Sequence, residues 1–148
     1  AEFAAIIVKA MGLEIDTAES SFGDVSLTDW FNGYVGTANT YGLIKGYDST
    51  SYRPNEIITR EQAMTILDKA MKITGLSVSL ADSEISSLLA EYKDGSDVSG
   101  YAKASVAGCL KADVVNGSSA TTLSPKGYVT RAEVAVMVQR LLQKSGLI

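Results

Sequence analysis

An all-α fold assembled from tandem repeats follows from three features of this chain. Six apolar positions recur at helical spacing in three places. Two of those places open with the same helix-start signal, Thr-Arg followed by Glu or Gln. A second helix type, led by an aromatic residue, also occurs twice. The clearest repeat returns after 71 residues, with Thr59-Arg60-Glu61-Gln62 coming back as Thr130-Arg131-Ala132-Glu133. The first copy leads into Ala63, Met64, Ile66, Leu67, Ala70 and Met71, and the second into Val134, Ala135, Met137, Val138, Leu141 and Leu142. The chain start carries a third copy at an offset of 60, in Phe3, Ala4, Ile6, Ile7, Ala10 and Met11. These positions form a broad stripe on one helical face, so three such helices predict a bundle that buries the stripes together. Repetition of this kind points away from a single-site enzyme and towards a modular binding or assembly domain.

Residues 1–12 predict the first helix. Aligned at 60, Glu2 takes the place of Gln62, and the matching Thr-Arg would precede residue 1, so the chain reads as a piece of a longer array. In the second unit, Thr28 or Asp29 is expected to cap a helix whose inner face is Trp30, Tyr34, Val35, Ala38 and Tyr41. Gly42 is expected to stop it in the left-handed conformation. The polar stretch 48–55 is a turn region, and Ile57 and Ile58 are expected to pack under the next helix. That helix has a capping box: Thr59 accepts from the backbone N–H three residues on, and Gln62 reaches back. Thr130 and Glu133 repeat the device. Between Gly75 and Glu91, Asp82 is expected to cap a linking helix with Ile85, Leu88 and Leu89 on one side. The third unit repeats the second from Tyr92 onward, with Tyr101 opposite Trp30 and Gly117 opposite Gly46. The boundaries are thus one domain over 1–148, with the end of repeat 1 in 1–20, repeat 2 in 21–91 and repeat 3 in 92–148.

A chain of 148 residues with 46% hydrophobic and 20% charged residues is ordinary for a soluble globular protein. The net charge of −4 argues against a nucleic-acid partner. No apolar run approaches a membrane span. The absence of histidine removes the commonest general base and metal ligand. Cys109, the single cysteine, stands where the other repeat has Ala38 and reads as a small core residue. Asp48-Ser49-Thr50 lacks the spaced oxygens and terminal glutamate of a calcium loop. No nucleophile–base pair, phosphate-binding loop or metal cluster is present in the sequence. Neither a catalytic role nor a cofactor nor a metal is expected.

The string Phe22-x-Asp24-Val25, Trp30, Gly42-Leu43-Ile44-x-Gly46-Tyr47, Tyr52-Arg53-Pro54 and Ile58-Thr59-Arg60-Glu61-Gln62-Ala63 resembles an S-layer homology (SLH) repeat. Asp94, Gly117, Leu123-Ser124-Pro125 and Val129-Thr130-Arg131-Ala132-Glu133 resemble a second one. The resemblance implies a pseudo-threefold helical bundle with short loops that anchors exported proteins to the bacterial cell wall. The implied ligand is a secondary cell-wall polysaccharide, anionic and bearing a pyruvate ketal, bound in grooves between repeats. The arginine of the Thr-Arg motif would contribute.

The residues fit that chemistry. Arg60 and Arg131 each stand on the first turn of a capped helix, where free N–H groups and a planar guanidinium favour a carboxylate. A structural alternative is a salt bridge to a carboxylate of the adjacent repeat, such as Asp24 or Asp94. On the ligand reading, Arg60→Ala should weaken wall binding at unchanged helix content. Trp30 offers an aromatic face for a sugar and is expected half-buried at a groove wall, whereas Tyr101 is expected to be structural. Gly46 and Gly117 permit either a tight turn or close approach of a ligand. Lys45 and Arg53 add positive charge beside that turn or are simply solvated. Asp24 and Asp94 either accept from sugar hydroxyls or, as is preferred, cap the following turn. The other function class is a protein–protein assembly module of a surface layer, including association with another chain or a first-repeat fragment.

Overall fold

The computed structural model describes every residue except Ser77, which lies in the linking segment 75–91. Six α-helices occur among the described residues: α1 (Glu2–Ala10), α2 (Asn32–Thr40), α3 (Arg60–Ile73), α4 (Asp82–Ala90), α5 (Lys103–Lys111) and α6 (Arg131–Lys144). No strand accompanies them among those residues, so the all-α expectation holds. Among the described residues no helix is long and apolar enough to cross a membrane. The 71-residue repeat is reproduced in three dimensions, because α5 and α6 carry the bounds of α2 and α3 advanced by 71.

The chain forms two compact units, Ala1–Glu56 and Ile57–Ile148. The division falls inside repeat 2. The first unit joins α1 to the front of repeat 2, and the second joins the capped helix of repeat 2 to repeat 3. In the first unit α1 packs on α2 through a core that includes Ile7, Val8, Val35 and Leu43. In the second, α3 packs on α5 and α6, and α4 on α5, around Met64, Leu67, Met71, Val106, Val114, Leu123 and Leu141. Cys109 is fully buried there, and burial pushes its thiol well above the usual range.

Both predicted capping boxes form. Thr59 accepts from the Gln62 backbone N–H while Gln62 Oε1 accepts from Thr59 N–H at 2.9 Å. Thr130 and Glu133 do the same, at 2.8 Å for the return bond. Gly42 stops α2 at φ 69°, and Asp113 takes the equivalent place at φ 57°.

Four expectations need correction. The first helix aligns with α3 at 63, not 60. Met11, Thr74 and Ser145 are the C-caps, and Gly12, Gly75 and Gly146 the left-handed residues after them. Buried Ala4, Ala5, Ile7 and Val8 then match Leu67, Asp68, Ala70 and Met71. A three-residue slip turns a helix by almost a full revolution, so an apolar stripe cannot distinguish the two registers. Glu2 therefore corresponds to Thr65 and not to a capping-box residue. Second, α2 begins at Asn32 with no side-chain cap, because Asp29 Oδ2 accepts from Ser26 N–H (2.8 Å) and holds 26–29 in a preceding turn. Third, Asp82 is the first residue inside α4, and Glu84 makes the cap bond to Ala81 N–H at 2.8 Å. Fourth, Ile57 is exposed instead of packed under α3, while Ile58 is half-buried and its backbone carbonyl meets the other repeat. Val129 N–H donates to Ile58 O (3.2 Å) and Arg60 N–H to Gly127 O (2.8 Å), an antiparallel bridge that brings the starts of α3 and α6 side by side.

Candidate functional site

The bridged helix starts create the environment of Arg60. Its side chain leaves the first turn of α3 and crosses to repeat 3. Nε donates to Leu123 O (2.9 Å), Nη1 to Glu133 Oε1 (2.6 Å) and Nη2 to Asn116 O (3.1 Å). The residue is 4% exposed. The structural alternative, a salt bridge to a carboxylate of the adjacent repeat, is the arrangement observed, with a residue other than Asp94 as partner. That partner is Glu133, which also closes the α6 capping box. The Glu133 carboxyl is held below the usual range, first by the Thr130 N–H and also by Arg60. With three donors committed to protein, Arg60 ties the two repeats together, and alanine here will not leave the helical structure untouched. Arg131, the equivalent residue on α6, is exposed.

Beside this tie lies a cavity of about 340 Å³. Its polar edge carries Arg60, Asn116, Glu133 and Arg140, its apolar lining Val136 and Met137, and its rim Gly117 and Ser118. Arg60 and Gly117, both singled out in the sequence, thus meet at one site. Asn116, Glu133 and Arg140 were missed. Glu133, Met137 and Arg140 follow at i, i+4 and i+7 on α6, a spacing that puts them on one face and could have signalled them.

Gly117 is required by its turn. A Cβ there would lie about 2.7 Å from Thr122 O and 2.8 Å from Tyr92 Cε1, inside van der Waals contact. Gly117→Ala is expected to destabilise by about 1–3 kcal/mol, readable in urea unfolding. A parent-like midpoint would show that the turn can move aside.

Asp94 holds the turn whose Leu123 carbonyl accepts from Arg60. Its carboxylate accepts from Leu123 N–H and Ser124 N–H, both at 2.8 Å, and Ser124 sits at φ 52°. Burial pushes the Asp94 carboxyl up, but these bonds and nearby Arg60 leave it below its ordinary value. The first unit has the same device. Asp24 accepts from Tyr52 N–H (2.9 Å) and Arg53 N–H (2.7 Å), with Arg53 at φ 59°. Both aspartates thus hold a turn 28 to 30 residues further along the chain, not the turn that directly follows them.

The remaining sequence candidates, Tyr101 aside, lie in the first unit. Gly46 stands where a Cβ would overlap the Phe22 ring and the Ser51 carbonyl. Lys45 is exposed. The Arg53 guanidinium stacks 3.3 Å over the Tyr47 ring centroid and pairs with Glu56 at 3.0 Å. Trp30 is 62% exposed, ahead of α2 and edge-on to Phe31 at 5.4 Å between centroids, so it is more open than the half-buried wall expected. Tyr101 is 63% exposed, and its hydroxyl reaches Glu61 Oε1 at 3.4 Å.

Residues 21–64 and 91–135, together more than half of the chain, each match the family model described as the S-layer homology domain. An exoglucanase of Acetivibrio thermocellus is 34% identical over 145 residues, covering 98% of this chain and 13% of that protein. An amylopullulanase of Thermoanaerobacterium thermosulfurigenes is 34% identical over 99% of this chain and 8% of its own length. A surface-layer 125 kDa protein of Lysinibacillus sphaericus is 29% identical over 97% of this chain and 12% of its own. The chain thus spans a small fraction of these relatives, and two differently named enzymes share with it the same short region.

Proposed function

Because this chain belongs to the S-layer homology domain family, we propose that it retains a protein at the bacterial surface by binding an anionic, pyruvylated cell-wall polysaccharide. Domains of this family are non-catalytic modules that anchor surface proteins to the cell wall. The enzymatic names of two relatives belong to those much longer proteins.

The observation that carries the reading is the cavity between the start of α3 and repeat 3. It combines two guanidinium groups, backbone polar groups at the Asn116–Ser118 turn and the apolar faces of Val136 and Met137. A sugar ring needs that mixture, since it presents hydroxyls at its edge and C–H groups on its face. The binding role of Arg60 is to offer the N–H edge not used in holding the repeats. Arg131, on the exposed first turn of α6, is a second contact outside the cavity. In the first unit, Trp30 supplies a stacking face, and Lys45, Gly46, Arg53 and Asp24 border the equivalent turn.

Calorimetric titration with purified pyruvylated wall polysaccharide, beside the same polymer stripped of its ketal, tests this. Saturable binding that requires the ketal is expected. Binding to neither polymer would remove the carbohydrate reading and favour a protein–protein assembly role.

A further inference from the structure

We propose that Arg140 is the residue that reads the ligand carboxylate, an assignment that rests on the cavity's being the polysaccharide site. The charged residues lining the cavity are Arg60, Glu133 and Arg140. Arg60 and Glu133 neutralise each other at 2.6 Å. Just outside, Lys144 and Asp113 form a second pair at 2.9 Å. Arg140 forms no ion pair among the described residues, though its charge helps, after Lys144, to hold the Asp113 carboxyl below the usual range. The lining therefore holds one net positive charge, and Arg140 carries it.

Its guanidinium is also held in place. With the amide of Asn116 in the orientation its neighbours require, the oxygen accepts from Arg140 Nη1 at 3.1 Å. The amide nitrogen then donates to Asp113 Oδ1 and Val115 O, each at 3.1 Å. One of five N–H donors on Arg140 is thus committed to Asn116, against three on Arg60 to protein acceptors. A fixed, half-buried fork with most donors uncommitted can bind a carboxylate through two parallel bonds. Met137 and Val136, three and four residues earlier on α6, present apolar surface to the methyl group that a pyruvate ketal carries next to its carboxylate. The equivalent residue in repeat 2 is Lys69, a cation without that fork.

The test pairs the full chain with Arg140→Gln and Arg140→Lys, titrated with ketal-bearing and ketal-free polymer. In parallel, the arginine Nε–Hε resonances of the parent are followed against a pyruvylated methyl glycoside. The Arg140 resonance is expected to shift. Arg140→Gln should lose at least about ten-fold in affinity for the ketal polymer and bind both polymers alike, with Arg140→Lys between. A ketal preference that survives in Arg140→Gln overturns the assignment and leaves the wall-binding reading standing. An Arg140 resonance that moves with the glycoside, in a protein that binds neither polymer, supports the carboxylate site and removes the wall polysaccharide as its ligand. An Arg140 resonance that does not move overturns the assignment whatever the polymers do.

Discussion

Arg60→Ala should destabilise the second unit by about 3 kcal/mol or more, while Arg131→Ala should cost less than about 1 kcal/mol. The two arginines occupy the same place in the same motif, so the difference can come only from their surroundings. Truncating Arg60 removes the donors of two carbonyls, Leu123 O in a fully buried residue and Asn116 O in an exposed one. A buried acceptor left without a partner, as Leu123 O would be, costs about 1–3 kcal/mol. The Glu133 pair adds less, because its carboxylate stays 37% exposed and is partly screened. Urea unfolding followed by circular dichroism reads both variants. Equal midpoints for Arg60→Ala and the parent would remove Arg60 as a tie between the repeats. A loss of wall binding in Arg60→Ala identifies a ligand contact only at temperatures where the variant is still folded.

The capping boxes were legible because a threonine and a Glu or Gln three residues apart satisfy each other's backbone groups locally. Gly42 was legible for a similar reason, since glycine tolerates positive φ unaided. Arg53, Asp113 and Ser124 adopt the same region, and nothing local announces them. Arg53 and Ser124 are held by carboxylates some 29 or 30 residues away, in Asp24 and Asp94. Distance along the chain also separates Arg60 from Arg131. Their local sequences predict one role, and Arg60 is buried against partners 56 to 73 residues away along the chain. Trp30 was misplaced because its spacing to Tyr34, Ala38 and Tyr41 fits a helix that in fact starts two residues later. Arg140 escaped notice because the repeat was read through its apolar stripe, and of the α6 residues that line the cavity only Met137 belongs to that stripe.

Glu61 is the buried carboxylate on which repeat 3 is clamped, and Glu61→Ala is expected to cost about 2–4 kcal/mol. The residue is 3% exposed. It accepts from Ser99 N–H (2.9 Å), Ser99 Oγ (2.8 Å) and Lys126 Nζ (2.6 Å), and Lys126 also contacts Ser99 Oγ. Its repeat counterpart is Ala132, which is exposed, so this clamp is not repeated at the start of α6. Burial pushes the Glu61 carboxyl up, but the bonds from Lys126 and Ser99 prevail and leave it below its ordinary value of 4.5. The sign follows from that depression. A carboxyl whose folded pKa is lowered stabilises the fold fully above its unfolded value, and the contribution disappears as pH falls through the lower folded value. Glu61→Gln keeps the shape and removes the titration. The parent should therefore exceed Glu61→Gln in melting temperature at pH 7, and the gap should close as pH drops below about 4.5. Asp94 and Glu133, also depressed, lower the melting temperature of both proteins over the same range and do not cancel the difference. A gap that stays constant down to pH 3 would mean that the charge of Glu61 contributes nothing, and that the clamp is held by shape and neutral hydrogen bonds alone.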